Sequence, residues 1–145
     1  MAVNKATDGT LKAGALNVKT AITAASITQM SATFTVGAEA ANAINVAVQL
    51  KDGQGVALAR AAALPWYLAT NATGLTPATS APNGGTAAGT NGKIIEWTAE
   101  LSGLMVFTAA GQANINITDS GTPTLYLVVV LPGGILAVSG AITFA

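Results

Sequence analysis

Acid–base chemistry needs titratable side chains held close together, and this chain offers few. Glu96 and Glu100 stand four residues apart. On an extended strand that spacing puts both carboxylates on one face about 13 Å apart. A paired glycosidase-type acid and base needs them within about 9.5 Å, so a solvated sheet face is the better reading. Asp119, followed by Ser120 and Gly121, reads as a turn anchor bonding its own backbone rather than as a ligand. The chain contains no Cys and no His, which removes thiol nucleophiles, disulfides, thiolate and imidazole metal sites and every His-based triad. The glycine pairs Gly53-x-Gly55, Gly84-Gly85 and Gly133-Gly134 lack the strand–helix context and the Lys-Ser/Thr that phosphate cradling requires, so they are turns. Trp66, Tyr67 and Trp97 are the residues that would form a stacking platform for a sugar. With aromatics only 5% of the chain, most are expected in the core. No enzyme activity, cofactor, metal or small-molecule substrate is expected from this inventory.

The elements that position these residues read as strands. Residues 124–131 (TLYLVVVL) and 135–145 (ILAVSGAITFA) flank Pro132-Gly133-Gly134, a hairpin signal in which Pro fixes φ and Gly supplies positive φ. Unbroken apolarity from Leu125 to Leu131 predicts a central strand covered on both faces. In the last segment Leu136, Val138, Ile142 and Phe144 are expected on one face. Residues 44–50 alternate cleanly, with Ile44, Val46, Val48 and Leu50 opposite Asn45, Ala47 and Gln49. A turn with Asp52-Gly53 at its centre follows, and the strand is expected to resume at Val56 and run to about Thr70. Pro65 cannot donate a ladder bond, which predicts an edge strand or a bulge there. Residues 32–36 read as a strand, and 71–91 as a long uncharged loop, either a partner contact or mobile. Further short strands are expected over 93–101, 104–108 and 113–118, the last with one wet face because Asn114 and Asn116 alternate with Ile115 and Ile117. Turn signals about every ten residues without a helical period give an all-β pattern, a β-sandwich or barrel, read as a single-domain β-sandwich over 21–145; jelly-roll and immunoglobulin-like topologies differ in connection order rather than in strand pattern, so both stay open here.

Composition narrows the function class. Hydrophobic residues are 51% and charged residues 8%, with Lys+Arg 6 balancing Asp+Glu 6. A neutral, charge-poor surface carries no electrostatic footprint for nucleic acid or anionic membrane. It also gives little colloidal protection and favours association. The N-terminus shows no secretory h-region, and the apolar run at Leu125–Leu131 is about a third of the roughly 20 residues a membrane helix needs. A soluble protein made in the cytoplasm is expected. Residues 1–20 hold Lys5, Asp8, Lys12 and Lys19 and few large apolar residues. They read either as a flexible tail or as an arm that orders on a neighbouring subunit.

Three phrases resemble a known family: VAVQLKDGQGVALAR at 46–60, Pro82-Asn83-Gly84-Gly85, and YLVVVLPGGILAVSGAITFA at 126–145. Together, over roughly 45–145, they resemble the small virion proteins of tailed bacteriophages, above all the cement (decoration) proteins on the heads of short-tailed phages. The resemblance implies a jelly-roll β-sandwich without catalytic residues. Its implied role is to bind the outer surface of the expanded head as a homodimer and clamp neighbouring copies of the major capsid protein, placing the chain in the virion. On that reading the capsid or dimer contacts are expected from Lys5, Lys12 and Leu16 of the arm, Pro65 and Trp66 of the predicted edge, and Ile135, Val138 and Phe144 of the terminal strand. The rival reading is an immunoglobulin-like or carbohydrate-binding module of a phage fibre or adhesin, using Trp66, Tyr67 and Trp97.

Overall fold

Alternation of β-branched and small polar residues sets the first sheet. The structure, a computed structural model, describes residues 29–145, so Lys5, Lys12, Leu16 and the expected arm lie outside the described residues. β1 (Ser31–Val36) runs antiparallel to β2 (Ala43–Lys51), with Phe34 opposite Val48. β2 pairs on its other side with β7 (Gln112–Thr118), setting Val46 opposite Ile115, and β7 pairs with the short β4 (Thr86–Ala88). The second sheet is built around β3 (Ala62–Ala69), which lies between β6 (Ser102–Phe107) and β8 (Thr124–Leu131). β5 (Lys93–Thr98) pairs with β6 at one edge. At the other, β9 (Ile135–Val138) and β10 (Ile142–Thr143) share the free side of β8.

All of these pairings are antiparallel, and the two sheets pack face to face as a β-sandwich. Their order is nested. β2 pairs β7 and β3 pairs β6, while β7 also takes β4 and β8 also takes β3. This is the jelly-roll sequence of crossings, from which only the flanks depart: β1 turns back on β2, and β5 on β6. An immunoglobulin-like sandwich sets its second strand beside its fifth. Here the second strand lies beside the seventh.

The core is the set of inward positions. Ile44, Val46, Val48, Leu50, Ile115 and Ile117 from the first sheet meet Leu64, Trp66, Leu68, Met105, Phe107, Leu127 and Val129 from the second. Each such side chain contributes roughly 1.5–3 kcal/mol by burial. The Pro132-Gly133-Gly134 turn forms as expected, with φ of 85° and 78° at the two glycines and Leu131 opposite Ile135.

Three expectations are corrected. The strand after the Asp52 turn begins at Ala62 rather than Val56, because Asp52 Oδ1 accepts from Gln54 N and Val56 N (both 2.9 Å) and holds a separate loop. β3 is interior, not an edge. Leu68 N donates towards the β6 side, to Leu101 O at 2.9 Å, so by alternation the Pro65 nitrogen faces β8. The β3–β8 ladder stops at Trp66↔Val129, one residue short of needing the missing donor. The terminal segment does not keep one alternation either. Ala137 is opposite Val129 but Ile142 is opposite Leu125, a one-residue slip. Ser139 absorbs it: its N donates to Leu127 O, and its Oγ accepts from Leu127 N, both at 2.9 Å. Ile135 and Ala137 therefore turn towards the core, Leu136 and Val138 outward, and Ile142 and Phe144 inward again.

Candidate functional site

The two outer faces of the sandwich differ in chemistry. On the first sheet three of the outward residues of β2 and β7, Asn45, Asn114 and Asn116, bond one another. Asn45 Nδ2 donates to Asn116 Oδ1 at 2.6 Å, and Asn114 Nδ2 donates to Asn45 Oδ1 at 3.0 Å. Gln49 Nε2 donates to the carbonyls of Leu50 and Ala110 at 2.8 and 3.0 Å. A shallow hollow of ≈ 220 Å³ opens here above Ala47, bordered by Thr33, Thr35, Asn91 and Gln112. It carries no charged group, and the amides of Asn114 and Gln49 on its wall are already engaged within the protein.

On the second sheet the outward positions are mostly apolar, with Lys93 of β5 and Ser102 of β6 among the exceptions. Ile95 of β5 is opposite Leu104 of β6, and Leu104 is opposite Pro65 of β3. On β8, Val130 is opposite Leu136 of β9. These five side chains form a band across the sheet, Ile95 half exposed and the others partly so. The neighbouring band, Tyr67, Val128 and Val138, is covered by the chain's own 71–77 loop. Tyr67 OH donates to Gly74 O at 2.7 Å. Gly74 has φ of +73°, and a Cβ there would lie 3.0 Å from Val138 and 3.1 Å from Val128. That close approach is why Val128, on an outward position, is fully buried. Burial in this layer also raises the Tyr67 phenol above its ordinary pKa.

The expected structureless loop over 71–91 is thus ordered and includes β4. Its uncharged composition serves internal hydrogen bonds, such as Asn71 Nδ2 to Thr76 Oγ1 (2.8 Å) and Ser120 N to Asn83 Oδ1 (2.9 Å).

The sequence-predicted residues scatter. Trp66 and Phe144 are core side chains, 1% and 2% exposed. Pro65 and Val138 lie on the apolar outer face, and Ile135 points inward at the sheet edge. The aromatic platform does not assemble, because Trp66 is buried, Tyr67 lies under the loop and only Trp97 is open, at 64% exposure. Glu96 and Glu100 do not share a strand face, since β5 ends at Thr98 and Glu100 sits in the turn with φ of 62°. Both carboxylates instead approach the Gly85–Thr86 corner: Thr86 Oγ1 donates to Glu96 Oε1 at 2.5 Å, and the Glu100 side chain lies against Gly85. Asp119 is a turn anchor as expected, accepting from Gly121 N at 2.7 Å and Asn83 N at 3.2 Å.

Ile95, Leu104, Val130 and Leu136 escaped the sequence reading. Their signal was there in the runs 104–107 (LMVF) and 125–131, apolar on consecutive residues where an antiparallel strand with a wet face would alternate. No known protein-family description matches this chain, and no curated protein matches it by sequence.

Proposed function

We propose that this chain is a structural protein of a tailed-phage head that performs no chemistry. It docks the outer face of its second sheet on the outside of the expanded shell and bridges neighbouring copies of the major capsid protein. One observation carries the reading: the band Ile95, Leu104, Pro65, Val130 and Leu136, which the described residues leave partly or half exposed on one face, while Asn45, Asn114 and Asn116 on the opposite face bond one another. A broad apolar face whose one nearby charge, Lys93, stands at its margin suits a flat protein partner. The neutral composition points the same way, since Lys+Arg and Asp+Glu are equal at 6 each. Every copy bound to the closed shell and not to its separated subunits stabilises the shell by mass action.

The test is co-sedimentation of the purified chain with expanded heads that lack it, followed by heating of the loaded heads. The native chain is expected to bind and to raise the temperature at which the heads open. Leu104→Asp with Leu136→Asp puts two charges into the band at partly exposed positions, and is expected to keep the fold and lose binding at least tenfold. Equal binding by native and doubly substituted chains would remove the outer face from the proposal. No binding by the native chain would remove the function.

A further inference from the structure

An unpaired strand edge is a template for another strand, and the four sheet edges among the described residues are not equivalent. β4 is three residues long, and the β9–β10 edge is broken by the slip at Ser139. β1 alternates exposed Ser31, Thr33 and Thr35 with half-buried apolar residues, so its outward row is polar. β5 is different. Over six residues (KIIEWT) it holds two of the four large apolar side chains that stand exposed among the described residues, Ile95 at 50% and Trp97 at 64%. Gly103 lets it lie tight on β6: a Cβ there would fall 1.9 Å from Ile95 O. Trp97 is the extra residue of a bulge, between Glu96 opposite Gly103 and Thr98 opposite Ser102.

We infer that β5 is where two copies of this chain join, pairing antiparallel about a twofold axis through Ile95. The axis must stand normal to the sheet for the apolar outer faces of both copies to remain on one side, so outward residues oppose outward residues. That leaves few registers. With Ile95 opposite the second copy's Ile95, Lys93 lies opposite Trp97 and Ile94 opposite Glu96. The contact then sets a cation against an aromatic residue and opposes no like charges. A two-residue slip one way puts Glu96 on Glu96. The same slip the other way puts Lys93 against Ile95 and carries Trp97 beyond the paired segment. In the Ile95 register the two apolar bands become one continuous surface, with Ile95 and its copy at the centre.

This deepens the docking reading, since a doubled band can reach two capsid subunits, but the strand pairing is tested separately. The chain has no Cys, so single introduced thiols report cleanly. Opposed residues of an antiparallel pair have Cα atoms about 4.5–5.5 Å apart, inside the range of about 4.4–6.8 Å that a disulfide spans. Ile95→Cys is expected to give a covalent dimer on mild oxidation. Lys93→Cys alone is expected to form no covalent dimer, while a mixture of Lys93→Cys and Trp97→Cys chains cross-links. Light scattering across a dilution series should give twice the chain mass for the native protein. Ile95→Lys, at an exposed site that leaves the far-UV spectrum unchanged, should weaken the dimer at least tenfold. A single-chain mass at every concentration would overturn the inference, as would a dimer in which Ile95→Cys does not cross-link. Heads that bind a monomeric chain would sink the pairing and leave the docking reading standing.

Discussion

Trp66→Phe sets two core effects against each other at one position. The indole is 1% exposed, and its Nε1 is the buried side-chain donor with no acceptor among the described residues. Leaving such a donor unpaired costs roughly 1–3 kcal/mol. Phenylalanine removes the donor but also some volume. A void of about 40 Å³, at about 24 cal/mol per Å³, costs about 1 kcal/mol. The lost apolar burial adds about 1 kcal/mol more at about 25 cal/mol per Å². Loss and relief nearly cancel, so Trp66→Phe is expected within about 1 kcal/mol of the native chain, whereas Trp66→Ala should lose about 3–5 kcal/mol. The assay is urea unfolding followed by far-UV circular dichroism, because after the substitution the remaining tryptophan is the exposed Trp97 and reports little. A loss near that of Trp66→Ala at unchanged denaturant slope would refute the reasoning, since it would mean that the indole N–H carries no penalty to relieve.

Ser139→Ala removes the hydroxyl that accepts from Leu127 N at 2.9 Å, a buried contact, and should cost about 1–3 kcal/mol in the same assay. An unchanged midpoint would mean that the terminal slip does not depend on that oxygen. Gly103→Ala forces a Cβ onto Ile95 O and should cost about 1–3 kcal/mol. Amide exchange should quicken in β5 before β2 and β7, and uniform acceleration would place the strain elsewhere. The raised Tyr67 pKa has a pH consequence. The folded chain holds the neutral phenol, so stability from this group is complete below the ordinary value of 10.0, falls as pH rises past it, and is lost once the folded phenol ionises. Urea midpoints should therefore drop on the alkaline side of that value in the native chain, and drop less in Tyr67→Phe. Parallel drops in both would assign the loss to other groups.

What the sequence made legible was alternation. Ile44 to Leu50 sets Asn45, Ala47 and Gln49, and Ala113 to Ile117 sets Asn114 and Asn116, on alternate residues, and an amide is costly in a core, so their faces follow from type alone. The Pro132-Gly133-Gly134 turn was equally plain, because Pro fixes φ at its start and the two glycines take positive φ without a Cβ penalty. Pro65 misled because a missing N–H restricts only one side of a strand, and sequence does not say which neighbour stops there. Val138 and Phe144 looked like one face because a slip at Ser139 depends on a side-chain oxygen replacing a ladder acceptor. The candidate face was the least legible part. An outward valine reads like an inward one until the pairing partners are known, and Val128 shows that such a position can be covered by its own chain.

The 71–77 loop also bears on why the remaining band is open. Gly74 lies on Val128 and Val138, and Tyr67 fixes the loop there with one hydrogen bond, so covering apolar sheet surface is within the reach of this fold. The same device stops short of Ile95, Leu104, Pro65, Val130 and Leu136. An apolar band left uncovered by the described residues, on a chain with no net charge, promotes association of any kind. Association becomes specific only if geometry selects one arrangement. The β5 edge supplies that selection, through Glu96, whose like charge penalises one slipped register, and through the bulge at Trp97, which ends regular pairing before a longer ladder can grow. Glu96→Gln removes the penalty while leaving an oxygen for Thr86 Oγ1 to donate to. Its expected result is a chain that still dimerises but cross-links at more than one position: at Ile95→Cys, and between Ile94→Cys and Thr98→Cys chains in mixture, which oppose each other only in the slipped register. A single cross-linking position would show that charge does not set the register.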